Sequence, residues 1–142
     1  MGFSAKTTYG LLALMELADV AGSGERLQVG EIASRQAIPE RYLEQMMTSL
    51  RRGGILRSIR GARGGYQLAK AADQILLSEV ILCLEGEPNT VDPSSGSPER
   101  QVINALADEL RRQRTTRLAA TTLADLQQDR DARLQAQAMY FI

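Results

Sequence analysis

The stretch from residue 37 to residue 68 constrains this chain most. Ala37-Ile38-Pro39 separates two segments of helical periodicity. Proline fixes its own φ and pushes the residue before it out of the helical region, so one helix must stop and another start within about three residues. We read Pro39 as the first residue of a helix that continues to about Arg52. Its buried stripe is Leu43, Met46 or Met47, and Leu50, at i, i+3/4, i+7. The methionines are core filler rather than a ligand set. Two helices joined by so short a turn make a helix-turn-helix. The opposite face carries Arg41, Glu44, Gln45, Thr48 and Arg52. Arginine and glutamine can pair with base edges at two points, and a glutamate can accept from cytosine while repelling phosphate. This face can therefore discriminate between DNA sequences as well as attach to them.

Gly53-Gly54 closes the helix, and residues 55–60 and 66–69 read as two short strands. The linking GARGG, residues 61–65, sets Arg63 among glycines. Such a tip suits an arginine that enters a narrow minor groove or touches phosphate. A glycine-rich loop by itself fits a plain turn or a phosphate cradle equally well, although no Walker lysine follows it. Position decides: a basic hairpin directly after a helix-turn-helix is the wing of a winged helix.

Charge supports this. The 17 basic and 17 acidic residues cancel overall. Residues 1–70 nevertheless hold 10 Lys/Arg against 6 Asp/Glu, and residues 71–142 hold 7 against 11. Arg51 to Lys70 has six bases and no acid. A field of that kind draws a polyanion to one face without making the whole protein basic; an ordinary solvated face is the plainer alternative. There are no histidines and one cysteine, Cys83. That excludes a Cys/His zinc site within one chain and a hydrolase with a histidine base, and no metal set or enzyme site can be assembled. The apolar runs are too short to span a membrane. The N-terminus has neither signal-peptide blocks nor, with Lys6 where Ser or Thr is needed, a myristoylation pattern, so the cytoplasm is expected.

Elsewhere, residues 4–20 read as a helix capped by Ser4, with Tyr9, Leu12 and Leu17 among its apolar positions, and residues 29–36 as a second, shorter helix with Ile32 and Ala33 inward. Residues 75–84 are apolar nearly all round and read as a buried helix containing Cys83. That cysteine reads as a small buried hydrophobe; a redox role would need exposure and a lowered pKa. Residues 86–98, GEPNTVDPSSGSP, form a flexible loop. Ser97-Pro98-Glu99 then opens a helix of about 20 residues, roughly 30 Å long. That helix, with its apolar stripe of Val102, Ile103, Leu106 and Leu110, is longer than a compact winged domain needs. We read it as a dimerisation helix, the alternative being that it packs back on its own domain. Thr122 to Asp125 begins a final short helix, and the apolar tail 138–142 is expected to dock on the core or a partner. The fold expected is mainly α: a winged helix-turn-helix over 1–85, a loop over 86–98, and a dimerisation helix, short helix and tail over 99–142.

EIASRQ (31–36), IPERYLEQMMTSLRRGGIL (38–56) and RGARGGYQLAK (60–70) resemble the bacterial Rrf-two family of winged-helix transcription regulators. The resemblance covers nearly the whole chain, and YLEQ with RG-x-x-GGY is its specific part. It implies a homodimer with crossing long helices, each recognition helix in a major groove of double-stranded DNA and each wing against the adjacent minor groove. Carried over by position, Arg41, Tyr42, Glu44 and Gln45 fall in the recognition helix, Arg60, Gly61, Arg63, Gly64 and Gly65 in the wing, and Ser4, Lys6 and Tyr9 where the first helix approaches the DNA backbone. Cluster-binding members carry three cysteines in the loop before the dimerisation helix. Here that loop has no cysteine or histidine and Cys83 lies upstream of it, so no family-type iron-sulphur cluster is expected. The leading expectation is a sequence-specific regulator, a repressor acting as a homodimer on a palindromic site. The alternative is a module that binds a partner protein.

Overall fold

The computed structural model describes residues 2–140. Helix α1 (Ala5–Val20) is followed by α2 (Val29–Gln36), α3 (Glu40–Arg52), strands β1 (Leu56–Ile59) and β2 (Gly65–Leu68), α4 (Leu77–Glu85), α5 (Pro98–Ala119) and α6 (Leu123–Tyr140). Ser4 caps α1, its Oγ accepting from the Thr7 amide at 3.2 Å. Gln28 and Glu31 form a capping box at the start of α2.

The turn into α3 is made at Ala37, with φ 55° and ψ 46°, a left-handed conformation in which Ala37 alone among the described non-glycine residues has positive φ. Pro39 differs from expectation by one position. Its ψ of 123° is extended, so it is the cap, and helical geometry begins at Glu40. The Pro39 carbonyl still accepts the first bond of the helix, from the Leu43 amide at 3.0 Å, as a capping residue does. Ile38 is buried in the angle between α2 and α3.

The two strands pair antiparallel, Leu56 opposite Leu68 and Ile59 opposite Gly65. Leu27, ahead of α2, adds one rung to the free edge of β2 by exchanging two backbone bonds with Tyr66, at 3.1 and 2.8 Å. The core beneath is built from Leu14 and Leu17 of α1, Ile32 of α2, Leu43, Met46, Met47 and Leu50 of α3, Ile55 and Leu56, Leu68, Val80 and Leu84.

Three expectations for the second half are corrected. Residues 75 and 76 are not helical: a 3-10 turn at Ala72–Gln74 precedes an extended link. Ile75 there accepts from the Leu123 amide, and Leu77 donates to Thr121, both at 2.9 Å. This rung ties the α5–α6 corner to the head of α4 and carries Leu123 fully into the core. Helix α4 is not buried all round, since Leu82 is 48% exposed. The last helix is not short. It has 18 residues, opened by the reciprocal bonds of Thr122 and Asp125, at 2.9 and 3.1 Å. It is held to α1 by Arg130, which clasps Asp19 through two N–O bonds of 2.8 and 2.9 Å, with Gln127 adding a third at 3.2 Å. These bonds hold the Asp19 carboxyl below its ordinary range. Met139 and Tyr140, expected to dock on the core or a partner, are exposed on the helix end of the single chain and so do not dock on its core, and Phe141 and Ile142 lie outside the described residues.

Helix α5 has 22 residues, none of them buried. Its stripe of Val102, Ile103, Leu106 and Leu110 is 48–69% exposed.

Candidate nucleic-acid interface

Four buried side chains, Leu43, Met46, Met47 and Leu50, fix the rotation of α3 and turn Arg41, Tyr42, Glu44, Gln45 and Arg52 outward. Tyr42 is steadied from below by Tyr9 of α1, whose ring meets it edge to face at 5.9 Å between centroids. Such contacts are worth about 0.5–1.5 kcal/mol beyond area burial. Tyr9 is thus a prop for the outer face of α3, half-buried at the core's margin. Thr48 is half-buried, and its hydroxyl donates to the Glu44 carbonyl at 2.9 Å, which leaves only its acceptor capacity for a ligand. Arg51 and Arg52 in the last turn complement the negative end of the helix dipole.

The wing is shaped by glycines at two positions where no other residue fits. The Gly64 amide closes a turn on the Gly61 carbonyl at 2.9 Å. A Cβ on Gly64 would stand 2.3 Å from the Ile59 carbonyl oxygen, and one on Gly65 would stand 2.6 Å from that of Leu27. Arg60 and Arg63 project from this tip and are exposed. The base of the wing is anchored by Gln67, which sequence reasoning missed. Its amide nitrogen donates to the carbonyls of Gly24 and Glu25, at 2.9 and 3.2 Å, while its oxygen accepts from Arg57 Nε at 3.1 Å. Arg57 is therefore held against the sheet. Lys70, the last base of the run, is paired with Glu79 at 2.8 Å. The usable positive charge lies at Arg41, Arg51, Arg52, Arg60 and Arg63, all exposed.

At the N-terminal end of α1, Lys6 is exposed, but Ser4 is engaged. Ser4 Oγ and Thr7 Oγ1 both donate to Glu85 Oε1, at 2.7 and 2.8 Å, joining the start of α1 to the end of α4. These two bonds hold the Glu85 carboxyl below its ordinary range. Cys83 packs beneath the end of α3. Its Sγ occupies the space a side chain at Gly53 would need, 2.1 Å from the position of such a Cβ. Partial burial, with Glu79 nearby, pushes the thiol pKa up, opposite to what a metal-binding or redox thiolate requires. The loop between α4 and α5 brings no sulphur or imidazole donor, and among the described residues no three Cys, His, Asp or Glu side chains gather as metal ligands. No described helix is long and apolar enough to cross a membrane.

These features agree with comparisons to known proteins. A model of the Rrf2 family, described as an iron-dependent transcriptional regulator, matches residues 3–129. The chain is 34% identical over 142 residues to the HTH-type transcriptional regulator CymR of Bacillus subtilis, covering 99% of each protein. It is 38% identical over 98 residues to the HTH-type transcriptional regulator IscR of Cereibacter sphaeroides, covering 68% of this chain and 63% of that one. The structure of T. potens IscR superposes with a TM-score of 0.76 at 33% identity, over 91% of this chain and 88% of that one. A helix-turn-helix with an arginine-tipped wing, matched along its length by regulators of one kind, makes this chain a member of the Rrf2 family of winged-helix, DNA-binding transcriptional regulators.

Proposed function

We propose that the protein is a cytoplasmic, non-enzymatic, sequence-specific repressor that binds a palindromic DNA site as a homodimer, and that it does so without an iron-sulphur cluster of the cysteine-ligated type. The observation that carries this reading is the joint exposure of two surfaces on one chain. One is the set of arginines and glutamine on α3 and the wing; the other is the apolar stripe of α5. A homodimer covers the stripe and sets two α3 helices on two half-sites about one DNA turn or a multiple apart, which is why the site is expected to be palindromic. In each half-site Arg41, Glu44 and Gln45 face base edges, and Arg60 and Arg63 reach a minor groove or its phosphates. Tyr42, Thr48 and Arg52 line the same face, and Lys6 approaches the backbone from α1. The donor set does not fit a cluster: the only cysteine is Cys83, packed under Gly53 with a raised pKa.

The test is fluorescence anisotropy of the purified protein, without added metal, on DNA from upstream of its own gene and on random DNA across a salt series. Selective binding that weakens steeply with salt is expected. Gln45→Ala should weaken the specific site by about tenfold or more and random DNA far less. Equal losses on the two DNAs would remove Gln45 from the base-reading set, and a requirement for added iron would overturn the cluster-free reading.

A further inference from the structure

A groove of about 640 Å3 runs between α4 and α5 and under the first residues of the loop that joins them. That volume lies within the range of small-molecule sites, which pair an apolar lining with a few convergent polar groups. The floor here is Ile81, Leu82 and Leu118, and the charged groups stand on opposite walls. Arg114 projects from α5, its guanidinium lying 5.6 Å from the centre of the Phe3 ring. Glu85 and Glu87 face it from the end of α4 and the loop. Arg114 acts on Glu85 through space and helps lower its pKa, after the hydrogen bonds from Ser4 and Thr7. Yet Arg114 and Glu85 make no ion pair among the described residues, whereas the neighbouring Arg111 is closed onto Asp108. A cation and an anion are thus held on facing walls without contact, over an apolar floor.

The groove is separate from the stripe assigned to the dimer. At 3.6 residues per turn, Val102, Ile103, Leu106 and Leu110 cluster on one side of α5, while Arg111, Arg114, Thr115 and Leu118 cluster roughly a third of a turn round. Covering the stripe with a second copy leaves the groove walls facing α4.

We propose that this groove binds a small zwitterion, an α-amino acid with an apolar side chain, and that its occupancy is passed to the DNA-binding unit through α1. The carboxylate is taken by Arg114, the ammonium by Glu85 and Glu87, and the side chain by Leu82 and Leu118. Fixed charges of both signs over an apolar floor suit such a ligand and disfavour a simple anion or cation, which would leave one wall unmatched. Glu85 is the link. Its Oε1 also holds Ser4 and Thr7, so a ligand that draws on this carboxylate acts on the start of the helix whose Tyr9 props Tyr42 on α3. Ligand binding stands independently of the proposed palindromic, dimeric mode of DNA recognition; the transmitted effect rests on DNA binding.

The test is a 15N–1H NMR titration of the full chain with L-leucine, L-methionine and L-phenylalanine, each with its amide and its N-acetyl derivative as single-charge controls. Saturable shifts are expected at residues 78–89 and 111–118 and at Ser4 and Thr7 for at least one amino acid. Loss of either ligand charge should weaken binding by about tenfold or more. Arg114→Gln, on an exposed side chain, should abolish the shifts and leave the rest of the spectrum intact. No saturable shift for any of the three up to 10 mM (about the weakest affinity worth assigning), equal binding of the amides, or unaltered binding by the variant would overturn the site. Saturable binding that leaves the anisotropy on specific DNA unchanged would overturn the transmission through α1 while keeping the site. Failure of the DNA titration without ligand would instead count against the proposed function.

Discussion

Replacing Leu106 with alanine isolates the role assigned to α5. In the single chain the leucine is 63% exposed, so truncation leaves no cavity and takes nothing from the core. The cost falls on whatever covers it. Leu→Ala removes three carbons, each worth about 0.8 kcal/mol when taken from water, and about two thirds of that gain remains to be made in the single chain. The loss is therefore about 1.5 kcal/mol per protomer. In a two-fold interface each substitution is felt twice, giving about 3 kcal/mol, or roughly a hundredfold in the dimer dissociation constant. Sedimentation equilibrium over a concentration series measures this directly, with circular dichroism to show that the helical content is unchanged. A dissociation constant unaltered within about twofold would place the stripe outside the dimer surface, because no value between 0.5 and 1 kcal/mol per methylene can hide in such a measurement. DNA affinity measured below the dissociation constant should fall in parallel, since one α3 helix cannot span two half-sites.

Other substitutions test the parts separately. Gly65→Ala sets a Cβ 2.6 Å from the Leu27 carbonyl oxygen; chemical denaturation should show a loss of about 2 kcal/mol, and an unchanged midpoint would refute the packing of Leu27 on the wing. Asp19→Asn should cost about 0.5–1 kcal/mol at neutral pH, the usual worth of a half-exposed pair. Because the Asp19 carboxyl is held low by Arg130, its contribution is complete above the unfolded value of about 4 and is lost as pH falls through the lower folded value, so wild type and variant should converge once the pH is below that folded value. Cys83 should react with iodoacetamide more slowly at pH 7 than a free thiol, with a rate midpoint above the ordinary thiol value; a faster reaction would contradict the effect of its burial and of Glu79.

What was legible in the sequence is what local stereochemistry dictates. Pro39 can only end one helix and start another, the GARGG glycines make a wing tip once their place directly after a helix-turn-helix is taken into account, and Ser97-Pro98-Glu99 opens α5 where expected. The parts that were not legible depend on pairings between distant residues. Leu27 carries no strand signal by itself; it becomes a rung only because Tyr66 passes beside it. Gln67 resembles any half-buried polar residue of a strand until the Gly24 and Glu25 carbonyls stand over it. Ile75 continues the apolar run into α4, yet its carbonyl is spent on Leu123 rather than on a helix. The length of α6 was missed for another reason. Residues 127–138 lack apolar periodicity but are rich in helix formers, and pairs such as Arg133 with Asp129, 3.3 Å apart at i,i+4, support the helix without a core.

Helix α1 gives these pieces a common frame. It meets α3 through Tyr9 and Tyr42, α4 through Ser4, Thr7 and Glu85, and α6 through Asp19 and Arg130. Leu14 and Leu17, fully buried, fix it against the core between those contacts. Sixteen residues of helix span about 24 Å and move as one body, so a load on Glu85 near one end is not absorbed locally. The contacts of Ser4 with Glu85 and of Asp19 with Arg130, at the two ends, are exposed or half-exposed and individually cheap to exchange, whereas that of the fully buried Thr7 hydroxyl and the apolar contacts further along are not. A helix held firmly in its middle and lightly at its ends can tilt without unfolding. The tilt would be read at Tyr42, on the same face of α3 as Glu44 and Gln45, where a small displacement changes the alignment of base contacts that require two-point geometry.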